Sequence, residues 1–491
     1  MARTGRDNVV LILTDQHRAD AIGAVEPALA TPHLDRLAAE GIRFQHTYCQ
    51  SPVCMPSRTS LFTGRYPHQH HVLNNGATVW PDGPCFVRAL REAGWQTAVI
   101  GKLHFTWRHD LDMLASHPLL WQLGFDDAHE TTGKMSMANL RASEYSEYLR
   151  RRDLLYPFLA DLRRRIAAGP TAEHGASILP EEAHIDAWVG DQAAAWLSAH
   201  DGSPFFLWVG PPGPHNPFDP PEPYASMYRP EALRGGITAP ATDPTAAQQL
   251  ARFGLSGADR SLVQAMRAQY YGNVSLIDDR VGRILAVLAQ RGRLEDTWVI
   301  YTSDHGEMLG DHGLLWKGQF YESSVTVPLL IRPPDRLRAA PRGVVSNALV
   351  ELLDVPATLL DLAGAPMEGG QGRSLLPLIR DEVLPERHRS AVFSEIDRRL
   401  MVRNGQYKLV LQAATLAPLA LWDLEADPDE VTNLVGTTRA SHVVDMLLAE
   451  EVRPFLERTP ADIGEPWPIV VPWQHWSRNP LRLAPLTGTS H

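Results

Sequence analysis

Short, largely apolar runs closed by polar or turn-forming residues recur along this chain: Val9 to Leu13, Gln96 to Ile100, Phe205 to Val209 and Trp298 to Thr302. Runs apolar at consecutive rather than alternate positions predict strands buried on both faces. Between them the apolar positions recur every three or four residues, in "TPHLDRLAAEG", "CFVRALREAG" and "NVSLIDDRVGRILAVLAQRG", which predicts helices. Thr31 as N-cap, Pro32 at the first helical position and Gly41 past the end frame the first of these. Strand alternating with helix predicts an α/β fold: a mainly parallel or mixed central sheet with helices on both faces.

The pattern changes near residue 385, after the Gly-rich "GAPMEGGQGRS". "SAVFSEI", "RLMVRNGQYKLVL" and "LALWDLEADPDE" read as strands around an Asn-Gly hairpin, without long helices between them. The expected organisation is an α/β domain over 1–384, a small α+β subdomain with an antiparallel sheet over 385–458, and an extended Pro- and Trp-rich tail over 459–491. The tail is a candidate bridge between subunits of a homo-oligomer, and Thr238 to Gln248 reads as a surface loop.

Composition narrows the function classes. With 491 residues, 44% of them hydrophobic, the chain can bury a large core. Its apolar runs fall far short of the roughly 20 residues needed to span a bilayer, so no membrane segment is expected. "MARTGRDNVVLILTDQ" lacks a signal-peptide core, and the three cysteines, Cys49, Cys54 and Cys85, do not form a disulfide framework; both point to a cytoplasmic, reducing setting. A net charge of −11 argues against a nucleic-acid partner and requires that any anionic substrate be attracted locally.

Polar residues crowd the ends of the four predicted strands: "DQ", "GKLH", "PPGPHNP" and "SDHGE". In open α/β sheets the site forms outside the carboxyl ends of the strands, so these segments are expected to converge. Asp15, Gln16, Asp304 and His305 would offer a cation two carboxylates, an amide oxygen and an imidazole, a set suited to Ca²⁺, Mg²⁺ or Mn²⁺ rather than tetrahedral zinc. In "SPVCMPSRTSLFTGR", Pro56 fits the first helical position and Gly64 the stop, giving a helix of about two turns with Cys54 just ahead of it. There the unpaired N–H groups and the helix dipole favour an anion or a thiolate, and Arg58 adds a fixed charge.

"CMPSRTSLFTGR" also resembles the C-x-P-S-R-x-x-x-L/F-T-G-R signature of type I sulfatases, members of the alkaline phosphatase superfamily. "NVVLILTDQ", "GKLHF", "GPPGPHNP", "YTSDHGEMLGDHGLLWKGQFYESSVTVPLLI" and "LWDLEADPDEVTNL" extend the resemblance over roughly residues 7 to 436. It implies an alkaline-phosphatase-like fold, and oxidation of Cys54 by a separate maturation enzyme to Cα-formylglycine, whose hydrate attacks a small sulfate ester and passes through a covalent sulfo-enzyme. By the same resemblance one divalent ion is held by Asp15, Gln16, residue 54, Asp304 and His305. Arg58 and Lys102 would steady the nucleophile, His104 would take a proton from the second hydroxyl, and His215 and Lys317 would hold the sulfate and protonate the leaving oxygen. Asn75, Trp107 and Arg108 would line the substrate pocket.

Gln16 and His305 depart from the Asp and Asn that many sulfatases carry there. They resemble instead choline-sulfatase-like members and phosphonate monoester hydrolases, and they bring Mn²⁺ in beside Ca²⁺. Hydrolysis of a phosphonate monoester or phosphodiester is therefore the alternative activity; the Lys102 and His104 of "GKLH" and the serine of "CMPSR" favour sulfate. If Cys54 stayed a thiol, the same cleft would bind an anion without cleaving it.

Overall fold

The computed structural model describes residues 7–461 apart from 77–78, 80–82, 106–110, 201, 203, 256–259, 366–368 and 381–387. In chain order its strands are β1 (Asn8–Thr14), β2 (Ile42–Tyr48), β3 (Gln96–Lys102), β4 (Leu111–Asp112), β5 (Asp127–Thr131), β6 (Leu140–Ala142), β7 (Phe205–Gly210), β8 (Thr297–Ser303), β9 (Leu329–Arg332), β10 (Val344–Glu351), β11 (Val392–Ile396), β12 (Arg399–Arg403), β13 (Tyr407–Gln412) and β14 (Pro418–Asp423). Eight of them make one sheet in the order β10-β2-β9-β8-β1-β7-β3-β5. β9 runs antiparallel to both of its neighbours, and the other pairings are parallel.

The four strands expected from apolar runs are the four that lie side by side, β8-β1-β7-β3. β1 pairs with β7 and β8 in parallel, Val10 facing Leu207 on one side and Val299 on the other, so their carboxyl ends share one edge. Alternate residues build two cores. Val9, Leu11, Trp208 and Trp298 face one, and Val10, Ile12, Leu207 and Val299 the other. The second is closed by the helices Ile185–Ala199 and Arg260–Gln290; the first receives Leu61 and Phe62 of the helix Cys54–Thr63 and residues of the helices Phe86–Glu92 and Asp354–Ala363.

The outer strands escaped the apolar-run criterion for physical reasons. β2 carries Arg43, Gln45 and His46, β5 is the polar edge strand "DAHET", and β9 is short and lies between antiparallel partners. The stretch 238–248 is also more than a surface loop: Thr242 and Asp243 donate backbone N–H bonds to the Tyr321 hydroxyl at 2.7 and 3.0 Å, and a helix begins at Ala246.

The antiparallel sheet β11-β12-β13-β14 turns at Asn404-Gly405, as expected. Its period-two alternation serves two masters. Met401, Val410, Ala420 and Trp422 enter the main core, while Leu400, Val402, Leu409, Leu411 and Leu421 pack with Tyr66, Leu353 and the helical segment running from Thr438 to Arg458. The expected boundary at residue 384 lies outside the described residues, as does the tail beyond residue 461. No helix among the described residues is long and apolar enough to cross a membrane.

At the edge strand, His129 sits between Asp127 (3.3 Å) and Glu144 (2.7 Å), and hydrogen bonds to these carboxylates raise its pKa to about 10. A raised pKa adds stability that is complete below the unfolded value near 6.5 and fades as pH climbs toward 10. Because the triad is partly solvated, His129→Gln is expected to cost only about 1 kcal/mol at pH 6. Urea denaturation should show that difference shrinking by pH 10, and a pH-independent difference would contradict the assignment.

Candidate active site and metal centre

The helix Cys54–Thr63 begins two residues earlier than the Pro56 signal indicated. Val53, in extended conformation, is the N-cap, and its carbonyl accepts the Ser57 N–H at 3.0 Å. Pro56 is tolerated in the first turn because the N–H it lacks has no intrahelical partner there. Cys54 is therefore the first helical residue, at the positive end of the dipole, and Gly64 ends the helix in the left-handed conformation at φ 67°. Every residue of this helix is buried.

The strand ends deliver the remaining groups. Asp15 and Gln16 follow β1, Lys102 ends β3, His215 lies beyond β7, and Asp304 and His305 follow β8. β3 and β7 come close enough that a side chain at Gly101 (φ 106°) would lie 2.2 Å from the Gly210 carbonyl oxygen. Gln16 (φ 69°) and His104 (φ 64°) occupy the left-handed region, a local strain of about 1–3 kcal/mol each that the surrounding packing holds in place.

Cys54 Sγ is the focus. Lys317 Nζ lies at 3.0 Å, His305 Nε2 at 3.2 Å and Asp15 Oδ1 at 3.7 Å, and His104 and His215 are near enough for the sulfur to act on their titration. Lys102 Nζ is bonded to Asp15 Oδ2, and Lys317 Nζ also donates to Gln16 Oε1 at 2.7 Å. Arg58, wholly buried, ties the strand ends together: Nε to Asp304 Oδ2 at 2.6 Å, and its terminal nitrogens to the Lys102 carbonyl at 2.9 Å and the Thr14 carbonyl at 3.3 Å. Ser57 Oγ donates to the Asp304 carbonyl at 2.5 Å.

These surroundings separate chemically identical residues. Burial pushes the Cys49 thiol well up and that of Cys85 to about 12. At Cys54 burial acts the same way, but Lys317, Lys102 and His305 outweigh it and hold the thiol well below its usual range. Burial and Cys54 likewise push Asp15 up, and Lys102, His215 and Lys317 prevail, keeping it ionised. Burial, then Lys102, lowers His104; burial, then Lys317, lowers His215.

Asp15, Cys54, Asp304 and His305 present one ligand atom each within 4.8 Å of one another, all buried. His305 donates Nδ1–H to the Gly306 carbonyl at 2.8 Å, which fixes the ring with Nε2 directed at Cys54. Two carboxylates, the Gln16 amide oxygen and that imidazole fit a hard or borderline divalent ion.

The predicted set thus converges, with two qualifications. Asn75 accepts the Met55 N–H through Oδ1 at 2.9 Å, so its carbonyl end secures the first turn of the nucleophile helix. Trp107 and Arg108 lie outside the described residues. Sequence reasoning overlooked Glu307 and Asn216, both hydrogen-bonded to the Gln16 amide; Glu307 stands in the quoted "SDHGE" and Asn216 in "GPHNP".

Comparison with known proteins agrees with this arrangement. The Sulfatase family model matches residues 7–365, and a model described as N-sulphoglucosamine sulphohydrolase, C-terminal, matches 310–454. The multifunctional alkaline phosphatase superfamily protein PehA of Trinickia caryophylli is 32% identical, covering 88% of this chain and 91% of its own. An arylsulfatase of Clostridium perfringens is 30% identical over 90% of this chain and 93% of its own. The crystal structure of the phosphonate monoester hydrolase of Agrobacterium radiobacter superposes with a TM-score of 0.79 at 27% identity, covering 95% of this chain and 100% of that one. The family model spans this chain from its first strand to residue 365, and with those relatives it shows that the chain belongs to the sulfatase family of the alkaline phosphatase superfamily.

Proposed function

We propose that the protein hydrolyses a small aryl or alkyl sulfate ester at residue 54, after a formylglycine-generating enzyme has oxidised Cys54, with one Ca²⁺ or Mn²⁺ held by Asp15, Gln16, residue 54, Asp304 and His305. The observation that carries this reading is the ring of Lys317, His305, Asp15, His104 and His215 around the Cys54 sulfur. The ion and the hydrated aldehyde together supply a nucleophile at neutral pH and a route for expelling sulfate by C–O cleavage.

The side chains do the rest. Lys102, Lys317 and Arg58 gather around Asp15 and Asp304, and a divalent ion would add its own charge, so the pocket would favour an anion although the chain carries −11 overall. Lys317 and His215 hold the sulfate oxygens. His215 donates Nδ1–H to the Asn216 carbonyl at 2.7 Å, so Nε2 is the nitrogen that takes up and gives back a proton. Burial and Lys317 lower its pKa, so once Nε2 has taken up a proton the imidazolium gives it readily to the departing alcohol oxygen. His104, kept neutral by burial and Lys102, accepts the proton from the second hydroxyl of residue 54. Arg58 acts at one remove, holding Asp304 and the Lys102 backbone in place.

The likeness to the Agrobacterium radiobacter phosphonate monoester hydrolase favours a second reading, phosphonate monoester or phosphodiester hydrolysis with the same nucleophile. Lys102 and His104 support sulfate. The test is the mass of the peptide carrying residue 54, with and without an aldehyde-reactive probe, alongside turnover of an aryl sulfate and an aryl phosphonate. A formylglycine mass with the sulfate as the better substrate is expected. Preference for the phosphonate would select the second reading, and an unmodified thiol with no turnover of either ester would leave an anion-binding protein.

A further inference from the structure

We propose that Glu307 is a positioning residue that fixes which end of the Gln16 amide faces the metal centre. The inference rests on the reading of Gln16 as a metal ligand. Among the side chains of that donor set Gln16 is singular: its two ends are opposite in kind, an oxygen that binds a cation and an NH₂ that repels one. The terminal amide torsion is broad and nearly two-fold, so the side chain itself does not choose between them.

Glu307 makes the choice from one side, and the Lys317 ammonium, which can only donate, agrees with it from the other. It is wholly buried, and its Oε1 receives the backbone N–H groups of Leu309 at 2.8 Å and Trp316 at 2.6 Å, which can only donate. Its other oxygen, Oε2, is thereby turned onto Gln16 Nε2. A carboxylate is acceptor-only, so the amide end facing it is the NH₂. Asn216 supports the same choice with Oδ1 at 3.4 Å from that nitrogen, and its own amide is oriented because Nδ2 donates to Glu173. Gln16 Oε1 is left pointing at the side of Cys54 and Lys317. The backbone of Gln16 is already pinned, its N–H to Asp304 Oδ1 at 3.0 Å and its carbonyl to the Tyr270 hydroxyl at 2.8 Å, so the amide flip is the freedom that Glu307 removes.

The consequence is specific to a glutamine at position 16. An aspartate there would have equivalent oxygens and nothing to orient, and Glu307 would oppose it by charge. The test is Mn²⁺ affinity by electron paramagnetic resonance titration of the chelator-stripped protein, a readout independent of turnover. Glu307→Gln can donate as well as accept, releases the amide, and is expected to weaken Mn²⁺ binding about 10- to 100-fold, the usual scale for a partner that orients a ligand. In a Gln16→Asp background the same change should alter affinity by less than about threefold, or improve it. Asn216→Ala should repeat the pattern with a smaller loss, and it serves if Glu307→Gln does not fold. Equal losses in both backgrounds, or no loss in the Gln16 background, would overturn the proposal. Gln16→Ala separates the two levels: if it leaves Mn²⁺ affinity unchanged, the ligand reading itself fails, whereas a loss there with none for Glu307→Gln defeats the positioning role alone.

Discussion

Cys54→Ala is expected to lose sulfate-ester turnover by about 10⁴- to 10⁶-fold, the scale on which removal of a covalent nucleophile acts. Among the described residues around the sulfur none replaces it: Lys317, His305 and Asp15 surround position 54 as charge and as ligands, and His104 and His215 as proton carriers. The variant should still bind inorganic sulfate, because the cationic groups remain. Cys54→Ser offers a sharper comparison. Its hydroxyl can attack sulfur once, but the resulting ester has no second hydroxyl to expel it, so one equivalent of alcohol and a protein heavier by one sulfo group are expected. Steady turnover by either variant would remove residue 54 from the mechanism.

The second large effect falls on stability. Arg58 pairs with Asp304 at 2.6 Å and Asp15 at 3.8 Å, and all three side chains are fully buried. Arg58→Ala takes from buried Asp304 its close guanidinium partner while Asp15 keeps Lys102, a loss of about 3–5 kcal/mol when a buried charge loses its partner. Denaturation of the chelator-stripped protein should reveal it in full, and added Mn²⁺ should recover part, because a divalent ion between the same carboxylates replaces some of the missing charge. Arg58→Lys keeps the charge but cannot bond Asp304 and the carbonyls of Lys102 and Thr14 at once, so it should fall between. An Arg58→Ala variant as stable as the parent in the absence of metal would show that the aspartates are hydrated or protonated there.

Much of this was legible in the chain. Strands buried on both faces must be apolar at every position, so the four central strands announced themselves, and the polar residues at their carboxyl ends marked the site before any coordinates. Pro32 and Gly64 bounded their helices because backbone geometry limits which residues those positions accept. β2 and β5 were hidden because an edge or partly exposed strand need not be apolar, and the start of the nucleophile helix was displaced because proline suits any position of a first turn.

Residue identities along the chain therefore determined the four central strands, the convergence of their ends and the donor types at the centre, since each follows from burial, capping or ligand chemistry within a few neighbours. Tertiary structure alone decided the rest: that Arg58 faces Asp304, that Asn75 secures the Met55 N–H, and that Glu307 and Asn216 meet the Gln16 amide. Those contacts join positions 20 to 291 residues apart. Hydrogen bonds act over about 3 Å, and no local pattern records which distant groups the folded chain will bring within that range.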